Sequence, residues 1–477
     1  MALFITIIIS ILAAFASALV RKNLTLLWAI AIGALLSASV ALFFAGWGLW
    51  RDGSYAWSDY FLLDFSGLLV AATIAVVGLA VVWYSGAYMR QEMSRGFIGF
   101  SRVRQYFTLF HLFLAAMFLA TFTDSPILMW IGIEVTTLST AFLISFYGRP
   151  SAVEAAWKYL LLNSVGLLLG FLGTLLFIYP VLHTGEAGFL SWQELMVAAS
   201  DFDPALTKIA FIFVLIGYGT KVGLVPMHTW RPDAYSKAPS PLAALFSGSL
   251  LNVALLAILR FKAVTDAAIG DEFAGGLLIF FGALSVAVAS FSIWGQKNYK
   301  RLLAYSSIEH AGIMALGFGF GGIGTLAAYL HMLYHALAKS ALFLTAGNIF
   351  LKYGSTKVDN VSGVLRAMPV TGALFLLGFI AASGLPIFAL FVTEFLILLA
   401  GVESYPWVVA GVVIFLAVSF VGFLRQVAAM MFGADLPRVE KSTEDRALVL
   451  PIIALIALLT VFSLLLPVMI NIIATFN

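Results

Sequence analysis

The stretch Phe211–Trp230, FIFVLIGYGTKVGLVPMHTW, carries the reading of this chain. It is apolar enough to cross a bilayer. Yet Lys221 stands near its middle, with Gly219 and Gly223 on either side and Pro226 and His228 just beyond. A lysine at that depth costs about 2.5–3.5 kcal/mol if it faces lipid. Snorkelling needs a helix end within reach, and Lys221 is about ten residues from either end. Pro226 has no N–H, and its ring clashes with the carbonyl four residues back, at Val222. The helix should therefore break beside the lysine and free a backbone carbonyl there. A charged group beside a broken helix at mid-membrane points to an ion pathway.

The rest of the chain supplies the setting. Of its 477 residues 62% are hydrophobic and 10% charged, whereas soluble domains carry about 25% charge. The apolar runs repeat evenly, so one polytopic all-α bundle is expected in place of several soluble domains. No cysteine is present, which excludes disulfides, iron–sulfur clusters and thiolate metal sites in this chain. Any redox chemistry would belong to a partner. The N-terminal apolar run starts at Leu3 and is followed by Arg21–Lys22, the reverse of a signal peptide.

Runs of about 20 apolar residues span a bilayer. Fourteen are visible, at roughly 3–20, 25–49, 66–88, 105–122, 126–147, 155–182, 207–229, 240–262, 273–294, 300–320, 323–350, 370–400, 407–432 and 447–475. The thirteen loops between them alternate in charge. Odd-numbered loops, with the span ends beside them, hold 19 of the 26 basic residues, Arg231 and Lys300 among them. Even-numbered loops hold Arg51, Lys208, Arg260 and Lys262. The positive-inside rule makes the odd loops cytoplasmic and both termini external. In the longest external loop, 183–206, Ser191 and Glu194 form a capping-box pattern that predicts a short surface helix.

Span 12 echoes span 7. It reads SGLPIFALFVTEF, with Gly384, Pro386 and Glu394. The two spans are five apart, and an odd offset inverts the second unit in the membrane. Residues 105–262 and 273–432 would then be two inverted five-helix repeats, flanked by peripheral helices at 1–88 and 447–475.

Six charged side chains lie well inside spans: Glu134, Lys221, Glu309, Lys339, Glu394 and Arg425. Together they would cost on the order of 15 kcal/mol facing lipid, so they should face protein or water and pair. Glu134 is the natural counter-ion for Lys221. Span 11 places His331, His335 and Lys339 four apart, one stripe about 12 Å long at 1.5 Å per residue. Such a line could pass protons by way of waters. His-x-x-x-His can also hold zinc, but no third ligand is evident and no metal is expected. Glu309 and His310 point about 100° apart in span 10, so each could meet a different neighbour. Glu394 is a plausible terminal acceptor. Arg425 is near enough to a span end to snorkel, and His111 reads as structural. No phosphate loop, nucleotide fingerprint or nucleophile triad is visible, and no nucleic-acid partner is expected.

At these residues the chain resembles a family. GTKVGLVPMHTWRPDAYSKAPSPLAALFSGSLLN, MWIGIEVTTLS, RLLAYSSIEHAGIM, HALAKSALFLTAGN and LPIFALFVTEF are similar to the signature of the antiporter-like subunits. These are shared by respiratory complex I, multisubunit cation/proton antiporters and membrane-bound hydrogenases. The resemblance covers most of residues 105–400. It implies fourteen helices in two inverted repeats, with helices 7 and 12 broken at Pro226 and Pro386. It also implies a proton path through Glu134, Lys221, Lys339 and Glu394, with His228, Glu309, His310, His331 and His335 beside it. SIEH, HMLYHALAK and Tyr353–Lys357 look most like hydrogenase-4 component F. One departure is Asn252, where many complex I members carry lysine or histidine. Asparagine cannot hold the proton, so the link from Lys221 to Lys339 would depend on water or on His310.

The resemblance implies a proton-translocating subunit of a redox-driven complex in a prokaryotic inner membrane. Its partners would be other integral membrane subunits and a peripheral redox arm carrying iron–sulfur clusters and, in a hydrogenase, nickel–iron. Two alternatives stay open. One is a cation/proton antiporter subunit without a redox partner. The other is a membrane subunit whose proton flow energises a soluble partner, such as an inorganic-carbon uptake protein.

Overall fold

The computed structural model describes residues 1–182, 190–434 and 443–474. The chain begins with α1 (Ala2–Leu19) and α2 (Leu24–Asp52), and a small hairpin, β1 (Tyr55–Trp57) and β2 (Phe61–Leu63). Then follow α3 (Phe65–Ser94), α4 (Phe100–Phe122), α5 (Pro126–Ile144), α6 (Pro150–Leu182), the short α7 (Trp192–Ala198), α8 (Pro204–Val222) and α9 (Trp230–Lys237). The middle of the chain forms α10 (Ser240–Leu245), α11 (Leu251–Ile269), α12 (Asp271–Trp294), α13 (Tyr299–Phe320) and α14 (Ile323–Tyr353). It closes with α15 (Val364–Ala367), α16 (Pro369–Ala382), α17 (Ala389–Gly401), α18 (Pro406–Phe432), α19 (Arg446–Leu464) and α20 (Leu466–Ala474).

Among the described residues, eleven helices are long and apolar enough to cross a membrane. Their starts are written locally. Ser125 caps α5 with Pro126 in the first turn, and Asp203 caps α8 with Pro204 in the same place. The cap oxygen takes an orphan N–H, and proline fills a position whose N–H has no partner anyway. The capping box predicted at Ser191 and Glu194 is formed, and it starts α7.

The two interruptions fall where the sequence puts them, and they share one construction. Helix α8 stops at Val222 on Gly223, whose φ is +80°, and Leu224 N–H bonds back to Gly219 O. Helix α16 stops at Ala382, Gly384 has φ +60°, and Leu385 N–H bonds back to Ile380 O. A glycine tolerates that left-handed backbone and a six-to-one bond closes the turn. Each proline lies beyond the stop, at 226 and at 386. So glycine ends each helix and proline keeps it from resuming. Helices α16 and α17 have 14 and 13 residues, about 20 Å each at 1.5 Å per residue.

The bundle has a fully buried centre. From Ser240 to Leu259, and from Leu330 to Ile349 save Leu333, every residue is buried. Helix α14 packs against α3, α10, α13, α16, α17 and α19. Between Leu245 and Leu251 the backbone widens into one π-helical turn, Phe246–Leu250. Outer helices turn apolar side chains outward instead, as Phe43, Phe44 and Trp47 of α2 and Leu161, Val165 and Leu168 of α6 show. Helices α6 and α8 meet along glycines: a Cβ on Gly217 would lie 2.3 Å from Gly170 N. Small residues of this kind let membrane helices approach closely.

Candidate functional site

Lys221 is the penultimate residue of α8 and is 2% exposed. Its Nζ donates to Thr137 Oγ1 of α5 and to Tyr159 OH of α6, both at 2.8 Å. The ammonium also lies 5.0 Å from the centre of the Tyr159 ring, a cation–π contact. Tyr159 OH bonds in turn to Thr140 Oγ1 at 2.7 Å. The expected direct pair with Glu134 is not made. Glu134 is half-buried and accepts from Ser164 Oγ at 2.9 Å. Thr137 lies one helical turn from Glu134 and takes its place against the lysine.

The carbonyl freed by the first break is occupied by a residue that the sequence reading assigned to a loop. Arg231 is 1% exposed. Its Nη1 donates to Val222 O at 2.8 Å and more weakly to Ser307 O of α13 at 3.4 Å, and its Nε donates to Tyr235 OH at 2.9 Å. It passes over Gly223, where a Cβ would sit 2.9 Å from Arg231 Cδ. Glu394 does the same at the second break, where a Cβ on Gly384 would collide with Glu394 Oε2. The structure thus refines the echo between the breaks. Lys221 precedes its break, and the counterpart of Glu394 is Arg231. Lys300 was likewise grouped with a loop and is buried, as is Glu92, just beyond the third apolar run. Helix α3 runs past the apolar stretch that marked it, and Lys300 is the second residue of α13. Lys300 Nζ donates to Ala238 O at 2.6 Å. Arg425, counted among the buried charges, is exposed on α18.

The expected stripe on α14 is present but is not wired along its own helix. His310 of α13 lies against both histidines, its ring centre 5.1 Å from each of His331 and His335. His310 Nδ1 and His331 Nε2 are 3.0 Å apart. His310 Nε2 meets Ala382 O at 3.0 Å, the carbonyl at the end of α16. His331 Nδ1 meets Thr393 Oγ1 of α17 at 2.9 Å, and Glu394 Oε1 is 3.7 Å from His310 Nδ1. Glu309 faces a cavity of about 30 Å³ lined also by Ser383, Glu394, Ser419 and Phe423. Lys339 is fully buried, reaches Leu303 O at 3.4 Å and lies over the Phe423 ring.

Asn252 stands between the two halves. Its Nδ2 lies 3.4 Å from Gly248 O and 3.3 Å from Met332 O, long contacts, and its buried Oδ1 has no protein partner. Nearby, Ser247 Oγ and Ser307 Oγ share a bond of 2.8 Å. Both His335 nitrogens and Arg231 Nη2 are buried without a protein partner. His228 is half-buried with its ring 6.4 Å from that of Tyr305, and among the described residues it bonds to none of the other candidates. For a metal, the third ligand that the sequence did not reveal comes from the fold. One donor atom each of His310, His331 and Glu394 lies within 4.8 Å of the others. His335 is not in that group.

A helical membrane bundle with two glycine-stopped helix breaks and a file of buried ionisable side chains between them is an antiporter-like transport subunit. The chain belongs to the family described as NADH:quinone oxidoreductase/Mrp antiporter, transmembrane, which matches residues 123–419. It is 37% identical over 397 residues to the hydrogenase-4 component F homolog of Methylacidiphilum infernorum, covering 82% of this chain and 83% of the relative. It is 30% identical over 351 residues to NADH-quinone oxidoreductase subunit N of Desulforudis audaxviator, with coverages of 73% and 67%. A subunit of the archaeal membrane-bound sulfane sulfur reductase superimposes with a TM-score of 0.87 at 25% identity, over 99% of this chain and 96% of that one.

Proposed function

We propose that this chain translocates protons as one membrane subunit of a redox-driven complex in a prokaryotic cytoplasmic membrane, most like a membrane-bound hydrogenase. The observation that carries the reading is the set of buried polar groups ranged from α5 to α17. Glu134 and Ser164 lead to Thr137 and Lys221. Arg231, Ser307 and Ser247 bridge to the centre. Lys339, His335, His310 and His331 continue to Glu394. Ordinary side chains at these depths would be apolar. Burying so many ionisable groups is costly unless they serve a path.

Lys221 would receive the proton through the hydroxyls of Thr137 and Tyr159. His310, set between His331 and His335, would join the α14 stripe to the second break. Asn252 holds no proton, but its unpartnered Oδ1 could accept a bond from a bridging water. The chain would carry no cofactor itself. Iron–sulfur clusters and nickel–iron would reside in a peripheral arm borne by partner subunits. The relatives named as components of hydrogenase and quinone oxidoreductase complexes support that arrangement.

The test is Lys221→Ala in the assembled complex, reconstituted in vesicles with a pH-sensitive dye. Redox turnover should persist while vesicle acidification is lost. Unchanged acidification would refute the path. Dependence of the flux on sodium, with no redox activity in the purified complex, would move the chain to the antiporter reading.

A further inference from the structure

The contacts around His310 and His331 bring two imidazole nitrogens and a carboxylate together at the second break. Ala382 O can only accept, so His310 Nε2 carries its hydrogen toward it. Thr393 Oγ1 lies 2.9 Å from both Leu390 O and His331 Nδ1; when its one hydrogen goes to Leu390 O, the hydroxyl oxygen accepts from His331 Nδ1–H. In that tautomer two neutral imidazoles turn bare nitrogens toward each other, His310 Nδ1 and His331 Nε2, 3.0 Å apart; in the other, His331 Nε2 donates to His310 Nδ1. The paired bare nitrogens are a two-imidazole donor set open to a cation, and Glu394 Oε1 stands 3.7 Å from His310 Nδ1 to complete it.

We propose that His310 Nδ1, His331 Nε2 and Glu394 form a binding site for one divalent metal ion of the zinc class, at the break between α16 and α17. Two imidazoles and one carboxylate are a zinc donor set. Bonds of about 2.0–2.1 Å in tetrahedral geometry place donors about 3.3–3.4 Å apart. The separations of 3.0 and 3.7 Å bracket that spacing and all three donors lie within 4.8 Å of one another, so side-chain movement of up to about an ångström or somewhat more admits the ion. The outer partners are already in place. Each ligating histidine turns its other ring N–H to an oxygen, Ala382 O or Thr393 Oγ1, as histidines in metal sites do. The adjoining cavity of about 30 Å³, with the unpartnered Ser383 Oγ in its wall, leaves room for a water as fourth ligand. The i, i+4 pair His331 and His335 is not the site, because His310 separates them. A metal ion here would occupy the proposed proton route. That consequence rests on the transport reading, whereas binding itself does not.

The test uses the purified full chain in detergent with any affinity tag removed. Zinc affinity is read by competition with a chromophoric chelator, and cobalt is added as a spectroscopic probe. The wild type should bind one equivalent, and cobalt should give the intense visible bands of a tetrahedral site. His331→Gln and Glu394→Gln should each weaken zinc binding by more than the roughly 10–100-fold that follows loss of an outer partner. Thr393→Val, which removes only the outer partner of His331, should fall within that range. His335→Gln should bind as the wild type does. Thermal unfolding without metal shows that each variant is folded. Absence of binding by the wild type, equal weakening in His335→Gln, or no weakening in folded His331→Gln would overturn the site.

Discussion

Lys221 rests on two hydroxyls where a carboxylate was expected. Hydroxyls can accept from an ammonium and can also donate to a free amine, so this setting serves both protonation states without a rearranging ion pair. Tyr159→Phe removes one of the two acceptors. A hydrogen bond to a charged group is worth about 1.5–3 kcal/mol, so redox-linked acidification by vesicles should fall about tenfold or more while the complex still assembles. A rate equal to wild type would take the Tyr159 hydroxyl out of the route. Outside the spanning helices, Asp124 gives a second residue-level prediction. Burial raises its carboxyl to about 6, against the pull of Arg260 and of the Trp192 backbone N–H, and repulsion from Asp64 and Glu194 adds to the rise. An acid raised in the folded state contributes stability that is fully present below its unfolded value, near 4, and is lost as pH rises through about 6. Thermal stability of the wild type should therefore lose an increment between pH 4 and 6 that Asp124→Asn lacks. Superimposable pH profiles would contradict this. At this scale the sequence revealed Lys221, Lys339 and Glu394 because a charge inside an apolar run stands out. Arg231, Glu92 and Lys300 were hidden, because each lies at or just beyond the edge of an apolar run, where a charged residue reads as part of a loop. The His310–His331 contact joins residues 21 positions apart on different helices, and no spacing rule encodes it.

At the scale of elements, both breaks are the same device. A left-handed glycine stops the helix, and a charged side chain from the following half-helix lies where the missing Cβ would be. The prolines were the legible part, and they place each break to within a few residues. The arginine cap was not legible, because WRPDAY reads as an ordinary loop. Arg231 satisfies Val222 O, so Arg231→Leu should leave that buried carbonyl unpaired, at about 1–3 kcal/mol for such a group. The expected result is a lower midpoint of thermal unfolding in detergent. Arg231→Lys should recover only part of it, since an ammonium cannot reproduce the planar fork. Equal midpoints for all three would show that the guanidinium does not hold the break. Gly384→Ala forces a side chain onto positive φ and onto the carboxylate of Glu394. It should impair acidification even though neither glycine nor alanine carries an ionisable group.

At the scale of the whole molecule, the loop-charge alternation matches a real division of the bundle into two ends. Connections that carry most of the basic residues touch one another. Asp233 pairs with Lys158 and Arg301, Asn298 bridges to Lys357, and Glu444 accepts from the N–H groups of Val370 and Thr371. The basic-poor connections meet at other contacts. Arg260 pairs with Asp64, Phe61 bridges to Thr123, and Trp192 N–H donates to Asp124 O. The positive-inside rule predicts that the basic end faces the cytoplasm. The absence of cysteine makes this directly testable, because a single introduced thiol has no background. Ser94 lies at the basic end and Ser404 in a basic-poor connection, and both are exposed. In intact cells a membrane-impermeant maleimide should label Ser404→Cys, and should reach Ser94→Cys only after the membrane is opened. The opposite pattern would invert the molecule and place the Lys221 end of α8 toward the outside. The compartment facing the Lys221 end of the path would then be the external one.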